Sequence, residues 1–203
     1  MIDCLTKWIL SILLVILLIY FYFNIYDGTV PQKNTFDTKE YYVKDDHLKQ
    51  TKADLLANLY NKLNVIVNTL RNDSIKSESV SRLIKLWDRG VTVKETGNME
   101  SDAAYVINKR YMSICLKDFV KKINLENLNL LTYVGIHELS HIMSIEIGHG
   151  DEFKTNFKFL LDYSKKIKYT DPFLNQEINL YIPLNTIKTP SDYCGVSVIN
   201  SIS

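Results

Sequence analysis

Hydrophobic positions along the chain change their period several times, and each change predicts a different element. Residues 8–26 read WILSILLVILLIYFYFNIY, nineteen positions without a charge and without a polar face. As a helix such a run is about 28 Å long, close to the hydrocarbon thickness of a bilayer. Trp8 marks one end and Tyr20, Tyr22 and Tyr26 crowd the other, where interfacial aromatics sit. A cleaved signal peptide fits less well, because the run is long and no small-residue cleavage site follows it. The expectation is an uncleaved single-pass transmembrane anchor over residues 1–26.

Periodicity is lost over residues 27–47, where Gly28, Pro31, Asn34 and scattered charges read as a stalk or linker. From residue 48 onward a domain is expected. Leu55, Leu56, Leu59, Leu63, Ile66 and Leu70 recur at three and four, which predicts an amphipathic helix over 49–70. Val80, Leu83, Ile84 and Trp87 predict a second over 79–88, with Gly90 stopping it. The period then shortens. Val91 and Val93, then 104–107 and 111–116, are β-branched and aromatic runs, and Asn108-Lys109-Arg110 predicts a hairpin between the last two.

Helical spacing returns over 128–147, with Leu131, Val134, Gly135 and Leu139 set around one face and Gly148 as the expected stop. Residues 151–166 open with acidic side chains and present Phe153, Phe157, Leu160 and Leu161 as an apolar stripe for packing on the preceding helix. After Pro172 the chain reads as irregular or β-rich and is expected to wrap back over the domain. The fold class is α+β: an N-terminal transmembrane helix, then a domain with a small β-sheet and a metal-bearing helix. No internal repeat, glycine-rich phosphate loop or serine nucleophile elbow is present in the sequence.

That helix carries the chemistry. Three of the four histidines fall in His137-Glu138-Leu139-Ser140-His141 and Gly148-His149-Gly150. Residues four apart on a helix stand one above the other, so His137 and His141 can offer two imidazoles to one metal. Glu138 lies one position off that face, where it suits a general base better than a ligand. A reversal at Gly148 would bring His149 toward the same point. The fourth histidine, in Asp45-Asp46-His47, reads as a surface residue.

Composition narrows the alternatives. A chain of 203 residues, 46% hydrophobic and 23% charged, suits one globular domain plus an appendage. With a formal charge of +1 there is no basic field to hold a nucleic-acid backbone, so nucleic acid is an unlikely partner, and the Lys121-Lys122 and Lys165-Lys166 pairs read as solvated faces. Asp3 and Lys7 before the apolar run, and Asp27 and Lys33 after it, lean weakly toward a cytosolic amino terminus. The domain would then face a lumen, the exterior, or the inside of a membrane-bounded particle or virion. Cys115 and Cys194 can pair in an oxidising compartment or remain two buried thiols. Asn72-Asp73-Ser74 is a glycosylation sequon that matters only under luminal exposure.

HExxH followed after a short insertion by Gly148-His149-Gly150-Asp151-Glu152-Phe153 resembles the SprT-like and WLM (Spartan-type) zinc metalloproteases. The approach, with Tyr105 and Lys109 before Ile114-Cys115-Leu116 and Tyr193-Cys194-Gly195 near the end, is similar to WLM-type proteins of large DNA viruses. The resemblance covers about residues 50 to 195 and is most specific over 137–153. It implies a zincin-like metalloprotease domain over 48–203, Zn2+ held by His137, His141 and His149, and Glu138 as the general base in peptide-bond hydrolysis by a zinc-activated water. The eight-residue step from His141 to His149 is longer than in metzincins, and a gluzincin-like glutamate such as Glu177, or Glu146 or Glu152, is a weaker third ligand than His149. Tyr193 or Tyr181 is a candidate donor to the oxyanion, and the strand near Ile114 a candidate edge for an extended substrate. No DNA-binding tail accompanies these motifs. The expectation is a membrane-anchored zinc endopeptidase acting on protein or peptide; its competitor is a catalytically inactive zinc-containing structural, membrane or virion component.

Overall fold

The computed structural model describes residues 4–25, 27–98, 104–184, 192–194 and 196–197. In chain order these form α1 (Cys4–Ile25), β1 (Thr29–Lys33), β2 (Glu40–Lys44), α2 (Lys49–Asn72), α3 (Glu78–Asp88), β3 (Thr92–Glu95), β4 (Ala104–Ile107), β5 (Tyr111–Ile114), a 3-10 turn (Phe119–Lys121), α4 (Leu125–Met143), α5 (Asp151–Ser164), β6 (Lys168–Asp171), β7 (Gln176–Asn179), β8 (Asp192–Tyr193) and β9 (Val196–Ser197). The architecture is α+β with small sheets. β1 and β2 pair antiparallel, as do β6 with β7 and β8 with β9. The remaining strands form one mixed sheet in the order β3-β5-β4, with β3 and β5 parallel and β4 and β5 joined as the expected hairpin. β5 is central, so β4 rather than the strand ending at Ile114 supplies the sheet edge near α4.

Two expectations need correction. The single-pass anchor is one, because no helix among the described residues is long and apolar enough to cross a membrane. The localisation as a single-pass membrane protein falls with it. Tyr26, Pro190 and Gly195, and the side chains of Tyr20 and Tyr22, lie outside the described residues. The second concerns residues 27–47, where a stalk was expected and the β1–β2 hairpin is found, with Tyr41 and Val43 buried. Lys52 on α2 reaches Asp46 at 2.6 Å and Glu95 at 3.0 Å, and Glu95 accepts from the Lys44 amide at 2.7 Å, so this hairpin is stitched to α2 and β3.

α2 and α4 form the centre. All six apolar positions that predicted α2 are buried. α4 is buried on nearly every side, which explains its weakly one-sided sequence pattern. The two helices approach closely at Gly135, where an added Cβ would lie 2.5 Å from Leu59 Cδ1. Asn124 caps α4 by accepting from the Asn127 amide at 3.0 Å. The carboxy-terminal segment does wrap back: Asn129 donates to the Ile182 carbonyl and accepts from its amide, both at 2.8 Å. Cys115 and Cys194 are joined as a disulfide across 79 residues, a closure worth about 4.5 kcal/mol in the chain-entropy account.

A buried ion pair ties α2 to the β6–β7 hairpin. Lys62 Nζ lies 2.8 Å from Asp171 Oδ2, and both side chains are almost wholly shielded from solvent. Burial works to raise the Asp171 pKa, but the Lys62 ammonium and hydrogen bonds from Lys62, Asn58 and the Phe173 amide outweigh it and hold the carboxyl below its usual range. The pair therefore contributes stability above the unfolded-state carboxyl pKa and loses it in acid. Lys62→Met, which strands the carboxylate, should cost about 3–5 kcal/mol at neutral pH by chemical denaturation. Adding Asp171→Leu should restore much of that loss, whereas additive losses would show that the two charges do not act as a pair.

Candidate metal centre

His137 and His141 sit one turn apart on the same face of α4, and His149 meets them from the loop between α4 and α5. Ring centroids are 5.0 Å apart for His137 and His141 and 4.9 Å for His149 against either. One nitrogen from each ring lies within 4.8 Å of the others, and the Nε2 atoms of His137 and His149 are 2.9 Å apart. Three histidines gathered this closely could hold a metal ion. Phe153 closes the floor, stacked on His141 at 4.3 Å and edge-on to His137 and His149. That phenylalanine was expected only as core; it also fixes the ring planes.

The chemistry of the donors fits a dication. Burial, together with the charges of His141 and His149, pushes the His137 pKa down to about 3. Burial, His149 and Lys109 push that of His141 down to about 4. Both imidazoles are thus neutral across the physiological range, with lone pairs available to a metal. Glu138 lies beside them, 3% exposed, and its Oε2 has no hydrogen-bond partner among the described residues. Burial raises its pKa to about 8. An orphaned carboxylate oxygen costs free energy unless something at the site uses it.

The loop that delivers His149 does not follow the predicted boundary. α4 ends at Met143, four residues before the expected stop at Ile147, and Ser144 is extended. Gly148 has φ +89°, so the left-handed turn expected there is present, but inside the loop. A Cβ at Gly150 would lie 2.3 Å from Glu146 Oε2, so a side chain there would displace the Glu146 carboxylate. Glu152 Oε2 accepts from the Ile145 and Glu146 amides at 2.8 and 3.2 Å, and its other oxygen meets Arg82 at 2.9 Å. Arg82 also donates to the Met143 carbonyl at 2.5 Å, and Lys109 to the carbonyls of His141 and Glu146 at 2.6 and 3.3 Å. Glu152 and Glu146 are thus occupied in shaping the loop. Glu177 is on β7, in register with Thr170, and is not among the three gathered histidines.

Arg82 was not singled out by sequence, because nothing in α3 marks a partner sixty residues on. The tyrosines are accounted for by packing: Tyr193 is buried and donates to the Cys115 carbonyl at 3.0 Å, and Tyr181 is buried against Tyr133. Burial and the nearby Glu138 charge raise the Tyr193 pKa. His47 is exposed, as expected.

No protein-family model and no solved structure matches the chain. Three viral proteins are similar. "Uncharacterized protein 042R" of Invertebrate iridescent virus 3 is 36% identical over 74 residues, covering 36% of this chain and 46% of that protein. "Uncharacterized protein 136R" of Invertebrate iridescent virus 6 is 35% identical over 75 residues, 36% of this chain and 41% of that protein. "Uncharacterized protein R325" of Acanthamoeba polyphaga mimivirus is 23% identical over 170 residues, 82% of this chain and 80% of that protein. The chain thus spans less than half the length of the two iridescent-virus relatives.

The buried carboxyl gives a pH signature in metal-free protein. Because the folded pKa of Glu138 is raised from 4.5 to about 8, the folded state binds its proton more tightly, and stability falls as pH rises between those values. His137 and His141 act oppositely, taking up protons on unfolding below about 6.5 and so costing stability in acid. The stability advantage of Glu138→Gln over the wild type should therefore grow by a few kcal/mol from pH 4.5 to pH 8 in denaturation experiments on metal-free protein. Parallel pH profiles would show that this carboxyl is not held neutral by burial.

Proposed function

We propose that the chain is a zinc-dependent endopeptidase of the SprT-like/WLM type. The observation that carries the reading is the gathering of His137, His141 and His149 around one point with the buried Glu138 carboxyl beside it, whose Oε2 has no hydrogen-bond partner among the described residues. Zinc would be held by His137, His141 and His149, and when bound it would supply Lewis acidity toward a carbonyl and a water of lowered pKa. A dication at this point also favours ionised Glu138 over its neutral form, which removes the cost of burying the carboxylate.

Glu138 then has two tasks. Its carboxylate takes a proton from the attacking water as the oxygen adds to the peptide carbonyl carbon, and it delivers that proton to the amide nitrogen as the C–N bond breaks. His137 and His141 hold their positions by the rigidity of α4, and Phe153 restricts their rotation. β4 packs against α4, so an extended segment of protein lying along that side of the domain would run beside the histidine-bearing helix. The substrate class is therefore an extended, unfolded stretch of polypeptide rather than a nucleic acid.

Metal analysis and peptide hydrolysis by the full chain test this reading. Glu138→Gln should retain stoichiometric zinc and lose about 100- to 10,000-fold in hydrolysis, the range for a general base. His149→Ala should lose most of its zinc at micromolar protein. A wild type without stoichiometric zinc would sink the site assignment. Zinc bound without hydrolysis of unfolded polypeptide would favour the catalytically silent structural protein.

A further inference from the structure

α4 ends where three side chains from other elements take over its hydrogen bonds. In a continuing helix the Ile145 amide would donate to the His141 carbonyl, that of Glu146 to Ile142, and that of Ile147 to Met143. Instead, Ile145 and Glu146 donate to Glu152, His141 is served by Lys109 and Met143 by Arg82. The replacements come from the β4–β5 turn, α3 and α5, and Arg82 meets Glu152 to join two of them. Helix ends leave these backbone groups without partners, so side chains that satisfy them select the ending.

From this geometry we infer that Arg82 and Glu152 are positioning residues for the third metal ligand. They stop α4 at Met143 and hold the 144–150 loop so that His149 meets His137 and His141. Neither touches the imidazoles' gathered nitrogens; they act through the backbone that carries His149. Lys109 supports the same ending through the His141 and Glu146 carbonyls, and Gly150 lets the Glu146 carboxylate fold beneath the loop to accept from the Glu152 amide at 2.7 Å. Loss of this support leaves the α4 pair in place and frees the third imidazole. The inference rests on the metal reading above, but the shape of the loop can be tested without metal.

Two measurements on the full chain decide it. The first is zinc affinity by competition with a chromophoric chelator, with the visible spectrum of the Co2+ form as a report on coordination. Arg82→Ala and Glu152→Gln should each weaken zinc about 10- to 100-fold, the usual cost of losing an outer-shell partner, and shift the Co2+ spectrum; Arg82→Lys should recover part of the loss. In a His149→Ala background the same changes should alter zinc affinity by less than about twofold, because an effect routed through His149 has nothing left to act on. Arg71→Ala, which breaks the exposed pair with Asp88, should leave affinity and spectrum unchanged. Wild-type affinity in Arg82→Ala and Glu152→Gln, or equal losses with and without His149, would overturn the proposal. The second measurement is hydrogen exchange at the Ile145 and Glu146 amides in metal-free protein. It should accelerate at least tenfold in both variants, and unchanged protection would overturn the clamp even if the wild type bound no zinc, an outcome that by itself refutes only the metal reading.

Discussion

The termination of α4 at Met143 is the constraint on which the site depends. His149 follows His141 by eight residues, and on an uninterrupted helix that step would carry it about 12 Å along the axis. The ring centroids are instead 4.9 Å apart. The chain must therefore leave the helix, reverse and return within those eight residues, and it needs to do so without stranding backbone amides and carbonyls in a half-buried place. Glycines alone permit the reversal but do not select it. Selection comes from Glu152, which receives two amides that the helix would otherwise have used, and from the cations that cover the corresponding carbonyls. The first turn of α5 thus specifies how α4 ends, and the same first turn places Phe153 beneath the three imidazoles.

Much of this was legible in the sequence wherever a local pattern reports burial. The α2 periodicity named its buried face, Asn108-Lys109-Arg110 marked a real hairpin, and the HExxH spacing placed two histidines on one face. The carboxy end of α4 was misplaced by four residues because Ile145 and Ile147 continue its apolar spacing, yet both are exposed. The amides of Ile145 and Glu146 and the carbonyls of His141, Met143 and Glu146 are claimed by side chains from other elements, and helical periodicity cannot register such claims. The β1–β2 hairpin was hidden for a related reason: only Tyr41 and Val43 face inward, too few to set a period, and the hairpin is held by Lys52 and Glu95 far along the chain. The apolar amino-terminal run announced a helix and one was found, but apolar composition alone does not establish a crossing. α1 stands with its apolar side chains from Trp8 to Ile19 exposed.

Electrostatics set the cost of keeping this site ready. A protein that needs two neutral imidazoles near pH 7 can bury them, and burial together with mutual repulsion suffices to bring His137 and His141 well below the usual histidine range. Protons then scarcely compete for their lone pairs at physiological pH. The same dry surroundings hold Glu138 neutral in the absence of a cation, which is the wrong state for a base. A cation at the point where the imidazoles converge would reverse that preference and end the isolation of the carboxyl. Elsewhere in the fold the same difficulty has a protein-only answer. Asp171 is fully buried yet kept ionised, because Lys62 was brought into the interior with it and Asn58 and a backbone amide supply the remaining hydrogen bonds. Glu138 has neither a lysine nor such hydrogen bonds among the described residues. That contrast between two buried carboxyls, one fully provided for and one left with an open oxygen beside the gathered histidines, is the strongest physical reason to read the second as functional rather than structural.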